Sequence, residues 1–192
     1  EVVYQTQYDQ PESNPELKAS ALLGLGRIAL LTAQETRAIE LFDTIIQAYP
    51  ASAAAIDARF FLGEAYSGRG EYVAAALAYQ QFANLAPQTL PAFVWEKIGD
   101  AYQLAGQFNE AVNAYQSTIN ALTDTHSINL IVEKIGILYR DQGETDIAVQ
   151  YFLDAFNNSE NDYFRARMNF LAGQAYMAAG QTALAYQKFQ EN

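Results

Sequence analysis

Few side chains in this chain have the type and spacing that do chemistry. Glu96 and Asp100 stand at i and i+4 in a helical stretch, which puts two carboxylates on one face. Such a pair can move a proton or hold a cation. No His, Cys or glycine-rich loop stands beside them to complete a site, so a solvated helical face is the better reading. His126 is the single histidine and opens a helix; one histidine without cysteine cannot build the usual zinc site, and a surface or capping role is expected. Asp141, Glu144 and Asp146 flank Gly143, but their spacing misses the calcium loop with acids at its first, third and fifth positions. Asn157-Asn158-Ser159 fits the glycosylation pattern, which has meaning only in a secretory eukaryotic protein. No catalytic, cofactor or metal-binding residue is assigned, and the chain is not expected to be an enzyme.

Composition narrows the partners. The 192 residues include 22 acidic and 11 basic side chains, a formal charge of −11. Phosphate binding needs clustered Lys and Arg, so nucleic acid and anionic lipid are poor partners for this chain. Hydrophobic residues at 51% suffice to fill a core, and the absence of cysteine excludes disulfides and thiolate sites without separating cytoplasm from periplasm. The longest nearly apolar run, Ala19 to Leu31, is short for a membrane span and carries Arg27, so it reads as a buried helix face and no membrane insertion is expected.

What positions these side chains is a repeat. Gly26, Gly63, Gly99, Gly136 and Gly173 follow one another at intervals of 37, 36, 37 and 37 residues, and a period so regular means a helical array. Twelve positions after each comes alanine: Ala38, Ala75, Ala111, Ala148 and Ala185. This small side chain should let a second helix approach the first closely at its glycine. One turn further on stand Phe42, Tyr79, Tyr115, Phe152 and Phe189, which should fill the space the small pair leaves. Gly70, Gly106, Gly143 and Gly180, with Ala33 in the same column, suit the left-handed residue that ends a helix.

The punctuation gives the elements. Asn14-Pro15-Glu16 reads as N-cap, first-turn proline and acid at the positive helix end, opening a helix from about Pro15 to Leu31. Further helices are expected over about 35–49, 52–68, 71–85, 91–105, 108–122, 127–142 and 145–157, with Thr125 or Ser127 capping the one near 127. Five units result, at about 15–50, 52–87, 91–123, 127–159 and 160–192, in a single array. Residues 1–10 fit the end of a preceding unit, with Pro11 in the part that Pro50 and Pro87 play. Val2, Val3 and Tyr4 at one end and Tyr186 and Phe189 at the other should then be more exposed than their counterparts, as in a chain cut from a longer array.

Those columns, with Trp95 four positions before Gly99 and Pro50 and Pro87 closing two units, resemble the tetratricopeptide repeat. Its units usually recur every 34 residues, and the longer spacing here, with Tyr49-Pro50-Ala51-Ser52, is similar to repeats of bacterial envelope proteins. The resemblance implies an all-α, right-handed superhelical solenoid of about five helix-turn-helix units, in the bacterial envelope or periplasm or in the cytoplasm. It also implies a non-enzymatic module that holds a peptide or extended protein segment in a concave groove lined by the first helices. A structural spacer, or a module that self-associates through uncovered array ends, is the alternative.

Carried over residue by residue, the groove positions are Arg27 in the first unit, Asp57, Phe60 and Glu64 in the second, and Phe93, Glu96 and Asp100 in the third. Glu133, Ile137, Arg140 and Asp141 follow in the fourth, and Arg167 and Phe170 in the fifth. The three middle units thus set six carboxylates against Arg140, which predicts a basic or neutral partner with an apolar side chain near Phe60 or Phe93. The family's clamp for C-terminal carboxylates needs Lys, Asn and Arg where this chain has Arg27, Glu64, Asp100, Ile137 and Gln174. Reversing Glu64 and Asp100 to Lys is expected to leave the fold intact.

Overall fold

The computed structural model describes residues 1–9 and 14–191. Among them are eleven α-helices and no strand: α1 (Val2–Asp9), α2 (Pro15–Leu31), α3 (Glu35–Ala48), α4 (Ala53–Gly68), α5 (Tyr72–Leu85), α6 (Pro91–Leu104), α7 (Phe108–Ala121), α8 (Thr125–Asp141), α9 (Thr145–Asn157), α10 (Asp162–Ala178) and α11 (Thr182–Gln190). Pro11, assigned a closing role by its register, lies outside the described residues. The chain divides into two compact units, Glu1–Ala111 and Val112–Asn192.

In the first unit each helix from α1 to α6 packs on the next, and α2 also packs on α4, so first helices of successive repeats touch. The core is small-residue rich: Ala19, Ala38, Ala55, Ala58 and Ala65 are fully or almost fully buried beside Leu22, Phe42 and Ile45. The step glycine has a sharper use than letting an alanine approach. A Cβ on Gly26 would collide with the ring of Phe42, and one on Gly63 would lie 2.5 Å from the ring of Tyr79. The aromatic fills the notch, as its column predicts. Burying such a ring stabilises the fold by roughly 1.5–3 kcal/mol, and both rings are fully buried.

The second unit repeats the device. The helices α8 to α11 pack in sequence, with α8 also against α10. A Cβ on Gly136 would come 2.6 Å from the Phe152 ring, and one on Gly173 would collide with Phe189. Phe152 is fully buried, whereas Phe189 is only half-buried. At the other end of the chain Val2 and Val3 are exposed, and the Tyr4 ring covers Gly24 of α2.

The helix ends follow local chemistry. Asn14 accepts from the Glu16 amide at 2.8 Å with Pro15 in the first turn, and Ser52 caps α4 through the Ala55 amide at 3.1 Å. The cap of α8 corrects the sequence expectation. Asp124, not Thr125 or Ser127, accepts from the Ser127 amide at 2.8 Å, because a carboxylate one residue earlier already faces the free amides of the first turn. After α2, Ala33 takes the left-handed conformation (φ 52°) that Gly70 takes after α4 (φ 77°). The Gln34 amide then reaches the Ala29 carbonyl at 2.8 Å and the Ala33 amide reaches Leu30 at 3.1 Å, which closes α2 with paired backward bonds.

Candidate functional site

In the first unit, the first helices of the repeats present aromatic side chains around a hollow. Phe60 on α4 lies with its ring centroid 5.6 Å from Phe61, 5.4 Å from Tyr79 and 6.0 Å from Phe93 on α6. Phe61 stacks on the buried Phe42 at 5.9 Å. Such offset and tilted pairs are the geometry aromatic quadrupoles favour, and they make the wall of the hollow an extension of the core. Its volume is about 540 Å³, and Arg27, Leu30, Leu31, Glu35, Phe60, Phe61, Glu64, Gly68, Phe93 and Lys97 line it. Phe93 remains 46% exposed.

Two cations border the rings. The Arg27 guanidinium sits 5.2 Å over the Phe61 ring, and the Lys97 ammonium is 5.7 Å from that of Phe93. Lys97 also pairs with Glu64 at 2.9 Å. The same Glu64 Oε1 accepts a 2.5 Å hydrogen bond from the Tyr79 hydroxyl. Burial, with that bond and the Glu64 charge, pushes the Tyr79 hydroxyl well above its ordinary pKa, so it stays a donor. Glu64 is therefore part of the packing between α4, α5 and α6, and its reversal to Lys would not leave the fold untouched as the sequence suggested.

The second unit holds its own charges in a similar way. Glu133 on α8 is buried, and Arg167 on α10 donates to its Oε1 from Nε at 2.8 Å and Nη2 at 2.6 Å. That bond is the main cause that raises the Arg167 pKa. Arg140 donates to Asp141 from Nη2 at 2.8 Å and from Nε at 3.0 Å. A second hollow of about 610 Å³ is lined by Arg140, Asp141, Gln174, Met177, Ala178 and Phe189. Phe170, 47% exposed, tilts against Phe189 at 5.7 Å, and Ile137 packs on the unit's core.

Of the residues expected to form a groove, Arg27, Phe60, Glu64 and Phe93 come together in the first hollow, and Asp57, Glu96 and Asp100 do not line it. Asp57 is exposed, while Glu96 and Asp100 are half-buried. Three of the six carboxylates behind the acidic-groove expectation, Glu64, Glu133 and Asp141, are held by Lys97, Arg167 and Arg140. Sequence reasoning missed Phe61 and Glu35, although a second Phe beside Phe60 was a visible signal. Among the described residues no group of three or more His, Cys, Asp and Glu is placed to hold a metal ion, and no helix is long and apolar enough to cross a membrane.

Comparison with known proteins agrees with the columns. Descriptions of the tetratricopeptide repeat match residues 20–52 and 94–121 in one form and 134–191 in another. No curated protein sequence matches the chain. Among solved structures, the crystal structure of MamA protein superposes with a TM-score of 0.69 at 20% identity, covering 90% of this chain and 88% of that one. A Podosopora anserina putative kinesin light chain with nearly identical repeats gives 0.65 at 21% identity, covering 92% and 93%. BtubC from P. vanneervenii gives 0.63 at 14%, covering 92% and 79%. At such identities the likeness speaks for the fold, which is the all-α tetratricopeptide solenoid. The glycine-to-aromatic packing within both units, and repeat matches over more than half of the chain, make this protein a member of the tetratricopeptide-repeat family.

Proposed function

We propose that this protein holds a peptide or an extended protein segment against the first helices of the Glu1–Ala111 unit, with a large apolar side chain of the partner seated in the aromatic hollow. The tetratricopeptide fold is that of a protein-interaction module, and solenoids use their extended concave faces for binding. The observation that carries the reading is Phe93, nearly half exposed at a hollow walled by Phe60 and Phe61. An apolar pocket with a few charged groups at its edge is the usual form of a site that anchors one side chain.

The partner's overall charge discriminates less than the count of carboxylates suggested. Glu64 is already paired with Lys97, so the attraction left for a basic segment is reduced, and a segment neutral overall serves as well as a basic one. Selection from a random twelve-residue peptide library displayed on phage tests the reading. Enriched peptides should share a large apolar residue and should lose binding to Phe93→Ser. Failure to enrich any peptide, with mass rising with protein concentration, would favour the self-association role instead.

A further inference from the structure

We infer that the segment held in this hollow presents a carboxylate to Arg27 beside its apolar anchor; the inference rests on the peptide-binding reading above. Four charged side chains face the hollow: Arg27, Glu35, Glu64 and Lys97. Glu64 and Lys97 answer each other at 2.9 Å. Glu35 lies with its stem against Gly68, at the far end of α4. Of the two cations that line the hollow, Lys97 faces the carboxylate of Glu64, whereas none among the described residues pairs with Arg27, whose guanidinium rests on the Phe61 ring. In a chain with two acids for every base, a lining cation without a carboxylate is a specific feature of this place.

The chemistry of guanidinium favours the same occupant. It takes a carboxylate through two parallel N–H donors, and its planar fork loses little freedom in doing so. Stacking on Phe61 removes some of the remaining rotamers before the partner arrives. The chain's net charge of −11 repels acids at long range, but that field is screened beyond roughly 8 Å at physiological ionic strength. At contact the local pair decides. The expected partner is therefore a segment with a carboxylate a few residues from a large apolar side chain, and neither a polyacidic tail nor a polybasic one.

The test is phage display of twelve-residue peptides with a central Leu or Phe fixed and all flanking positions randomised, panned on the intact protein and on Arg27→Gln. Arg27 is exposed, so the variant should keep the wild-type melting temperature. The expected result is enrichment of Asp and Glu over Asn and Gln by about threefold or more near the anchor on wild type. On Arg27→Gln that preference should vanish while anchored peptides are still retained. Retention of anchored peptides without any acidic preference, or with the same preference on Arg27→Gln, would overturn the role of Arg27 alone. No enrichment of anchored peptides over a control pool with central Gly would remove the peptide-binding reading and this inference with it.

Discussion

The Tyr79 ring occupies the space that a Cβ on Gly63 would need, 2.5 Å from where that atom would stand. The ring has nowhere to go. Tyr79 is fully buried, Phe60 tilts against it at 5.4 Å, and its hydroxyl is bound to Glu64. Gly63→Ala should therefore destabilise the protein. Overpacking costs about 1–3 kcal/mol, against a gain of up to roughly 1 kcal/mol for replacing glycine in a helix. Gly68→Ala is the control, because its Cβ would meet only the flexible Glu35 stem, at 3.1 Å. Urea unfolding should show a lower midpoint for Gly63→Ala and an unchanged or higher one for Gly68→Ala. Equal midpoints would refute the notch.

Ala33 offers the opposite case. It holds φ at 52° with a side chain in place, at the helix end where four other repeats use glycine, Gly70, Gly106, Gly143 and Gly180. Left-handed backbone costs an L-residue roughly 1–2 kcal/mol, and glycine gives back about 0.5–1 kcal/mol through its freer unfolded chain. Ala33→Gly should raise stability by about 0.5–1 kcal/mol. A melting temperature that falls would show that Ala33 is not held in this conformation in solution.

How much of this was legible follows the range of the interaction. Helices Pro15–Leu31 and Thr145–Asn157 end where the sequence placed them, because the Asn14-Pro15 start of the one and the Asn157-Asn158 stop of the other act within a turn. Repeat columns were legible for the same reason, each being one short pattern met five times. The aromatic column was legible as the filler of the space that the small residues leave, and the rings of Phe42 and Tyr79 do stand where a Cβ on Gly26 or Gly63 would be; spacing alone could not show that ring and glycine meet directly. The groove charges failed on distance. Arg167 meets Glu133 across 34 residues, a little less than one repeat, so carboxylates and cations of adjacent first helices pair. Counting charges along each helix could not show it, and placing Phe61 on the hollow's wall required the helix rotations.

Acid should act on α8 through Asp124. Its carboxylate accepts from the Ser127 amide, and that bond holds its pKa below the ordinary carboxylate value. A carboxyl with a depressed folded pKa stabilises above its unfolded pKa, and the contribution is lost as pH falls through the folded value. Asp124→Asn keeps an oxygen acceptor without a titrating charge. Protection of the amides at the start of α8, measured against their intrinsic exchange rates, should therefore fall in the wild type as the pH drops below the ordinary aspartate pKa. The variant should lack that step, and an equal loss of protection in both would assign it elsewhere.

The strongest separation concerns Glu64, whose Oε1 receives both the Tyr79 hydroxyl and Lys97. The two interactions carry different weights. Lys97 and Glu64 are each about a third exposed, and such a pair is worth about 0–1 kcal/mol. The Tyr79 hydroxyl belongs to a fully buried residue, and a buried donor without an acceptor costs about 1–3 kcal/mol. Glu64→Gln retains the acceptor and should lose little. Glu64→Leu strands the hydroxyl and should lose more, while Glu64→Lys adds repulsion from Lys97 and should lose most. Combining each with Tyr79→Phe isolates the bond: in that background Glu64→Gln and Glu64→Leu should become nearly equal. If they are already equal with Tyr79 in place, the hydroxyl does not depend on Glu64, and charge reversal there becomes a clean probe of binding after all.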